Sequence, residues 1–214
     1  MNESIHPQDD PNDGAPADEG NGHSAKWILM FFALAVIGLV AIQFFMPHNA
    51  GNQQGGIGDR LPDLQLQPLT GNVQPVSLKL LAGKVVLLDF WGTWCPPCRA
   101  EFPHIVELGA KYRYRPDFQL LAVSCGEGED DTKSLRQPTE SFLAENKLDA
   151  ATYFDPQGFT RQQLDKVAGF EGYPTTLVLD RKGIIRGLWV GYEPGVEQKI
   201  GDLVAKLLAD PPAK

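Results

Sequence analysis

Two cysteines separated by two prolines, Cys95-Pro96-Pro97-Cys98, are the residues of this chain with the most chemistry to offer. Cysteines three apart on a first helical turn bring their sulfurs within bonding reach. The leading thiol of such a pair sits at the positive end of the helix macrodipole, which favours thiolate. A thiolate is the attacking species in disulfide exchange, and the second thiol resolves the mixed disulfide. Neither proline has an N–H, so Cys98 offers the nearest backbone donor to the Cys95 sulfur, and the dipole alone should depress its pKa moderately. A structural zinc site would need four ligands, yet there is no second cysteine pair and the nearest histidine is His104. No metal and no cofactor beyond the cysteines is assigned. His104 reads as a surface side chain, and Cys125 as a packing residue, because free cysteine is among the most buried residue types.

A pair of this kind needs a rigid seat. Residues 84–90 form a nearly continuous apolar run rich in β-branched residues, the pattern of a strand covered on both faces. Residues 99–112 have helical spacing interrupted by Pro103, where a kink is expected. The cysteines thus fall between a buried strand and a helix. Residues 118–124 read as a second buried strand, 139–147 as a helix opened by Thr139, and 160–167 as another short helix. Residues 64–69 and 73–78 flank Thr70-Gly71-Asn72 as a hairpin, and 175–179 with 184–190 form a second one over residues 180–183. An amphipathic helix over 196–208 closes an α/β pattern with a mixed sheet.

The rest of the chain differs in composition. Of 214 residues, 19 are Lys or Arg and 27 are Asp or Glu, a net charge of −8 that argues against nucleic-acid binding. Six of those acids lie in residues 1–25, which hold almost no large apolar side chain and read as a disordered tail. Residues 27–46 are apolar except for Gln43, long enough at about 1.5 Å per residue to span about 30 Å of hydrocarbon. With Lys26 they are expected to form a transmembrane anchor over 26–46, its N-terminus on the cytoplasmic side because Lys26 is the only adjacent cation. Residues 47–58, rich in Gly, Asn and Gln, read as a flexible linker to one folded domain over 59–210.

The stretch Asp89-Phe90-Trp91-Gly92-Thr93-Trp94-Cys95-Pro96-Pro97-Cys98, with Pro103 and Gly172-Tyr173-Pro174-Thr175-Thr176, resembles the thioredoxin superfamily. Within it, the 61–78 hairpin and a segment inserted around 127–147 are similar to the membrane-anchored TlpA/ResA-type thiol-disulfide oxidoreductases. The resemblance implies a thioredoxin-like fold, Cys95 as nucleophile, Cys98 as the more buried resolving thiol, and Pro174 as a cis-proline opposite the pair. It further implies disulfide-containing extracytoplasmic protein substrates such as apocytochrome c, an integral-membrane thiol electron donor, and a place on the outer side of a bacterial inner membrane. Trp94 and Tyr173 would give an apolar rim, with Thr175 beside them among the substrate-binding residues, and an exposed backbone edge at Tyr173 would pair with an extended substrate segment. Two carboxylates match acidic positions of these families and could take the proton of the resolving thiol: Asp89 and Glu127. Asp89 could instead face water at its strand end, and Glu127 could belong to a solvated loop with Glu129, Asp130 and Asp131. Two other functions use the same cysteines. A peroxiredoxin-type thiol peroxidase would want a Thr three residues before its cysteine, and a Cu(I) chaperone a further ligand beyond His104.

Overall fold

The structure is a computed structural model that describes residues 55–128 and 130–210. The acidic tail, the expected anchor over 26–46 and most of the 47–58 linker lie outside the described residues. Among the described residues no helix is long and apolar enough to cross a membrane.

The chain enters through β1 (Gln65–Thr70) and β2 (Val76–Ser77), which pair antiparallel as the anticipated hairpin and lead into a 3-10 turn, Leu78–Leu81. Strand β3 (Val85–Trp91) is buried at every residue. Helix α1 (Pro96–Tyr112) follows it, then strand β4 (Phe118–Ser124), parallel to β3. Next come α2 (Thr132–Glu145), β5 (Thr152–Phe154), a 3-10 turn at Pro156–Gly158 and α3 (Phe159–Ala168). Strands β6 (Thr175–Leu179) and β7 (Ile185–Val190) form the second hairpin, and α4 (Val196–Ala209) ends the fold. The sheet order is β2-β1-β5-β4-β3-β6-β7, with β3, β4 and β5 parallel and the rest antiparallel. This is a thioredoxin-like α/β fold.

Strand β3 shows why the sheet needs helices on both sides. Its side chains alternate between faces. Val86, Leu88 and Phe90 pack with Leu61, Leu64 and Leu164 on the side of the hairpin and α3. Val85 and Leu87 pack with Ile105, Ile200 and Val204 beneath α1 and α4. Asp89 alternates onto that second face, under α1. Each aliphatic side chain moved fully from water into such a layer contributes about 1.5–3 kcal/mol.

Two elements depart from the sequence reading. Helix α2 begins at Thr132 and not at Thr139, because Asp131 caps it by accepting the Lys133 and Ser134 backbone N–H groups at 2.7 and 3.0 Å. Pro138 lies inside that helix, and Thr139 is buried on its inner face with Leu135, Phe142 and Leu143. The unanticipated β5 is three residues long and is held wholly by distant partners, β4 on one side and β1 on the other. Its Thr152 hydroxyl lies 2.9 Å from that of Thr70.

Candidate active site

Helix α1 starts at the cysteines for a local reason. Cys95 is its N-cap, and the Cys95 sulfur accepts the Cys98 backbone N–H at 3.3 Å. Pro96 and Pro97 occupy the first helical positions, where an N–H would have no intrahelical partner and a fixed φ already suits the helix. The helix then continues through Pro103 to Tyr112. Cys95 and Cys98 are joined by a disulfide, with their Cα atoms 5.3 Å apart. Cys98 is fully buried, while Cys95 keeps 4% of its surface exposed. Trp91 and Phe102 stack beneath the pair, their ring centroids 3.6 Å apart.

The rim around Cys95 is aromatic. Trp94, 42% exposed, meets Tyr173 edge to face at 5.5 Å, and Tyr173 in turn meets Phe170. The Tyr173–Pro174 peptide bond is cis. Trp94 is held by its indole N–H, which donates to the Cys125 carbonyl at 3.0 Å. That contact requires glycine at position 92: a Cβ there would lie 2.5 Å from Trp94 Nε1 and 2.8 Å from the Cys125 carbonyl oxygen. Gly92→Ala is therefore expected to cost about 1–3 kcal/mol and to release Trp94. A denaturant midpoint together with quenching of Trp94 emission measures both effects.

Tyr173 has a second anchor. Arg161 on α3 donates to the Tyr173 hydroxyl, to Asp155 at 3.2 Å and to Asp130 in the loop after β4. Asp130 also accepts the Gly126 N–H, and Asp155 accepts the Thr160 and Arg161 backbone N–H groups. One guanidinium thus ties α3, the inserted loop and the residue before the cis-proline together, with the planar fork that arginine brings to such sites. Neither Arg161 nor Asp155 was singled out from the sequence, since 31 residues separate Arg161 from Asp130 and nothing local links them.

The candidate residues divide. Asp89 is 1% exposed and does not face water. Beside it lies a residue the sequence reading missed, Glu101, also 1% exposed. The Thr176 hydroxyl donates to Asp89 Oδ1 at 3.0 Å and lies 3.4 Å from Glu101 Oε1. Burial pushes the Asp89 carboxyl up to about 7, against the lowering effect of the Thr176 bond. Burial likewise pushes Glu101 up to about 8, with the neighbouring Asp89 charge adding to it. Glu127 is not part of this group. Its loop leaves the sheet after β4, and the side chain is exposed beside a cavity of about 290 Å³ lined by Trp94, Ser124 and Leu135. The signal for Glu101 was its spacing, one turn after Cys98 and one before Ile105 on the buried stripe of α1.

Thr175 follows the cis-proline at the start of β6. It is fully buried, and its hydroxyl donates to the Gly172 carbonyl at 2.6 Å, shaping the loop before β6. Cys125 is buried, its S–H donates to the Val123 carbonyl at 3.6 Å, and burial pushes its thiol up, away from the thiolate. His104 is exposed and stacks on Tyr192.

A family model described as AhpC/TSA family matches residues 57–188. The thioredoxin-like protein YneN of Bacillus subtilis is 29% identical over 179 residues, 82% of this chain and 96% of that protein. The thiol-disulfide oxidoreductase ResA of Oceanobacillus iheyensis is 35% identical over 96 residues, 43% of this chain and 50% of that protein. Among solved structures, a Chlorobium tepidum chain assigned as a thiol:disulfide interchange protein DsbE superposes with a TM-score of 0.57 at 32% identity. The match covers 71% of this chain and 97% of that one.

Proposed function

The chain belongs to the AhpC/TSA family, and from that premise we propose that it is a thiol-disulfide oxidoreductase reducing disulfides of extracytoplasmic proteins through Cys95 and Cys98. The observation that carries the reading is the pair itself: a disulfide at a helix N-terminus, its less buried member Cys95 next to the Trp94–Tyr173 aromatic pair, with two buried carboxyls under the same helix. The names of the ResA and DsbE relatives point the same way.

In the reduced protein, the Cys95 thiolate attacks a substrate disulfide R–S–S–R′. A Cys95–S–S–R bond forms and R′–S⁻ leaves, taking a proton from water. Cys98 then gives its proton to the buried carboxyl pair, and its thiolate attacks the Cys95 sulfur. The Cys95–Cys98 disulfide forms and R–S⁻ leaves. Two electrons pass from the cysteines to the substrate. Trp94 and Tyr173 shape the approach, and the backbone beside Pro174 offers an edge for an extended segment.

The apolar run 27–46 supports anchoring by one helix, with the cytoplasmic side set by Lys26 and the folded domain outside a bacterial inner membrane. An integral-membrane thiol donor would return electrons to the pair, and apocytochrome c is the substrate the TlpA/ResA resemblance suggests. The reduction potential of the full-length protein in detergent, equilibrated with a dithiothreitol buffer, tests the direction. A value near about −270 mV or lower is the expected result for a reductant. One near about −120 mV would make the protein an oxidant and end the reductase assignment.

A further inference from the structure

Asp89 and Thr176 are register partners in the antiparallel β3–β6 pair, and Glu101 comes down on them from α1. The second oxygens, Asp89 Oδ2 and Glu101 Oε2, are buried and have no hydrogen-bond partner among the described residues. Among the described residues, no Lys or Arg forms an ion pair with either carboxyl. Four carboxyl oxygens are thus served by a single hydroxyl, and a hydroxyl has one hydrogen. Were both groups ionised, Thr176 could satisfy only one of them, and the other would stand buried and unpaired beside a like charge. One proton resolves the conflict. A protonated carboxyl donates to Thr176 Oγ1, and Thr176 donates onward to the remaining carboxylate.

We propose that Thr176 joins Asp89 and Glu101 into one site that, near neutral pH, holds a single shared proton in the oxidised protein. Thr176 is a positioning residue, because it acts through the two carboxyls. Reversing both hydrogen bonds moves the proton between Asp89 and Glu101 without moving a heavy atom. The further step rests on the exchange reading of the cysteines. During resolution Cys98–S–H gives up its proton, the remaining carboxylate takes it, and the site becomes doubly protonated. The extra proton returns to water once the Cys95–Cys98 disulfide has formed. Glu101, one turn after Cys98 on the same buried face, is the entry point. The other titratable groups that bear on the site are Glu197 on α4, whose charge raises Glu101 further, and Tyr192, which feels both glutamates.

The test is a pH titration of side-chain carboxyl ¹³C shifts in the oxidised full-length protein, where the active-site thiols are absent. Two steps are expected, each visible at both Asp89 and Glu101. In T176V the lower step should move to higher pH by about tenfold in proton affinity, because the carboxylate loses its donor, while T176S keeps the wild-type curve. If T176V does not fold, Glu101→Gln decides. It removes the neighbouring charge, so the Asp89 step should fall by at least about tenfold. Carboxyls that titrate singly with no response at their neighbour, or steps unmoved by T176V and E101Q, would overturn the shared proton. Reduction of an insulin disulfide by the same preparations separates the two readings. Coupled carboxyls without exchange would refute only the proposed function, and exchange with uncoupled carboxyls only the shared site. The pH profile of that exchange should shift in T176V and not in T176S, which loss of packing alone would not produce.

Discussion

Cys95→Ser should lower the rate of disulfide reduction by at least about 10³-fold, to background, while Cys98→Ser should stop the reaction halfway with substrate attached. The asymmetry follows from access. Cys95 keeps 4% of its surface exposed and Cys98 none, so an incoming disulfide is expected to meet Cys95 first. A serine hydroxyl does not ionise near neutral pH and forms no S–S bond, so the first variant has no nucleophile. In the second, the Cys95 thiolate still attacks, but no thiol stands behind it to release the product. A non-reducing gel and the intact mass of the trapped species distinguish these states. An adduct that forms at Cys98 in the Cys95→Ser variant would reverse the roles. Full turnover in Cys98→Ser would remove the resolving step from the mechanism. Consumption of hydrogen peroxide by Cys98→Ser at the wild-type rate would favour a peroxidase instead.

The seat of this chemistry was legible because it is local. The apolar run over 84–90, the cysteine pair at the start of α1 and the strand before Asp180 each carry their pattern within a few residues, and the structure puts each within a residue or so of its pattern, the first strand running to Trp91. What the sequence hid is held by distant partners. Strand β5 has three residues and exists because β1 and β4 flank it. Arg161 reads as an ordinary charge on a helix until Asp130, Asp155 and Tyr173 converge on it. Glu101 is the sharpest instance. Its spacing from Cys98 and Ile105 puts it on the inner stripe of α1, but a glutamate is expected at the surface unless something inside receives it. Thr176, 75 residues away, is what receives it. Glu127, in the loop after β4, takes the solvated one of its two readings and is exposed.

Asp89→Asn and Glu101→Gln should make the protein more stable at alkaline pH, the reverse of what losing a buried carboxyl usually does. Both groups are held above their unfolded values, at about 7 and about 8. Between about pH 4 and those values the folded chain binds more protons than the unfolded one. Stability must therefore fall as pH rises through that window, and above it the full cost of two ionised buried groups is present. For shifts of this size the cost is on the order of a few kcal/mol per carboxyl. Asp117, Asp131 and Asp180 are lowered, so their contributions are lost only as pH falls through the acid range, outside this window. Urea unfolding of the oxidised protein from about pH 5 to about pH 9 should show a steady decline in wild type that either variant flattens. A wild-type curve that is level or rises over that range would mean the carboxyls are not held protonated. Because both variants keep an uncharged group of nearly the same shape, their gain should be greatest where the wild type is weakest. The same Glu101→Gln protein should exchange disulfides more slowly, since an amide cannot accept the Cys98 proton. A substitution that strengthens the fold while weakening the reaction is expected where buried charge is kept for chemistry and not for packing.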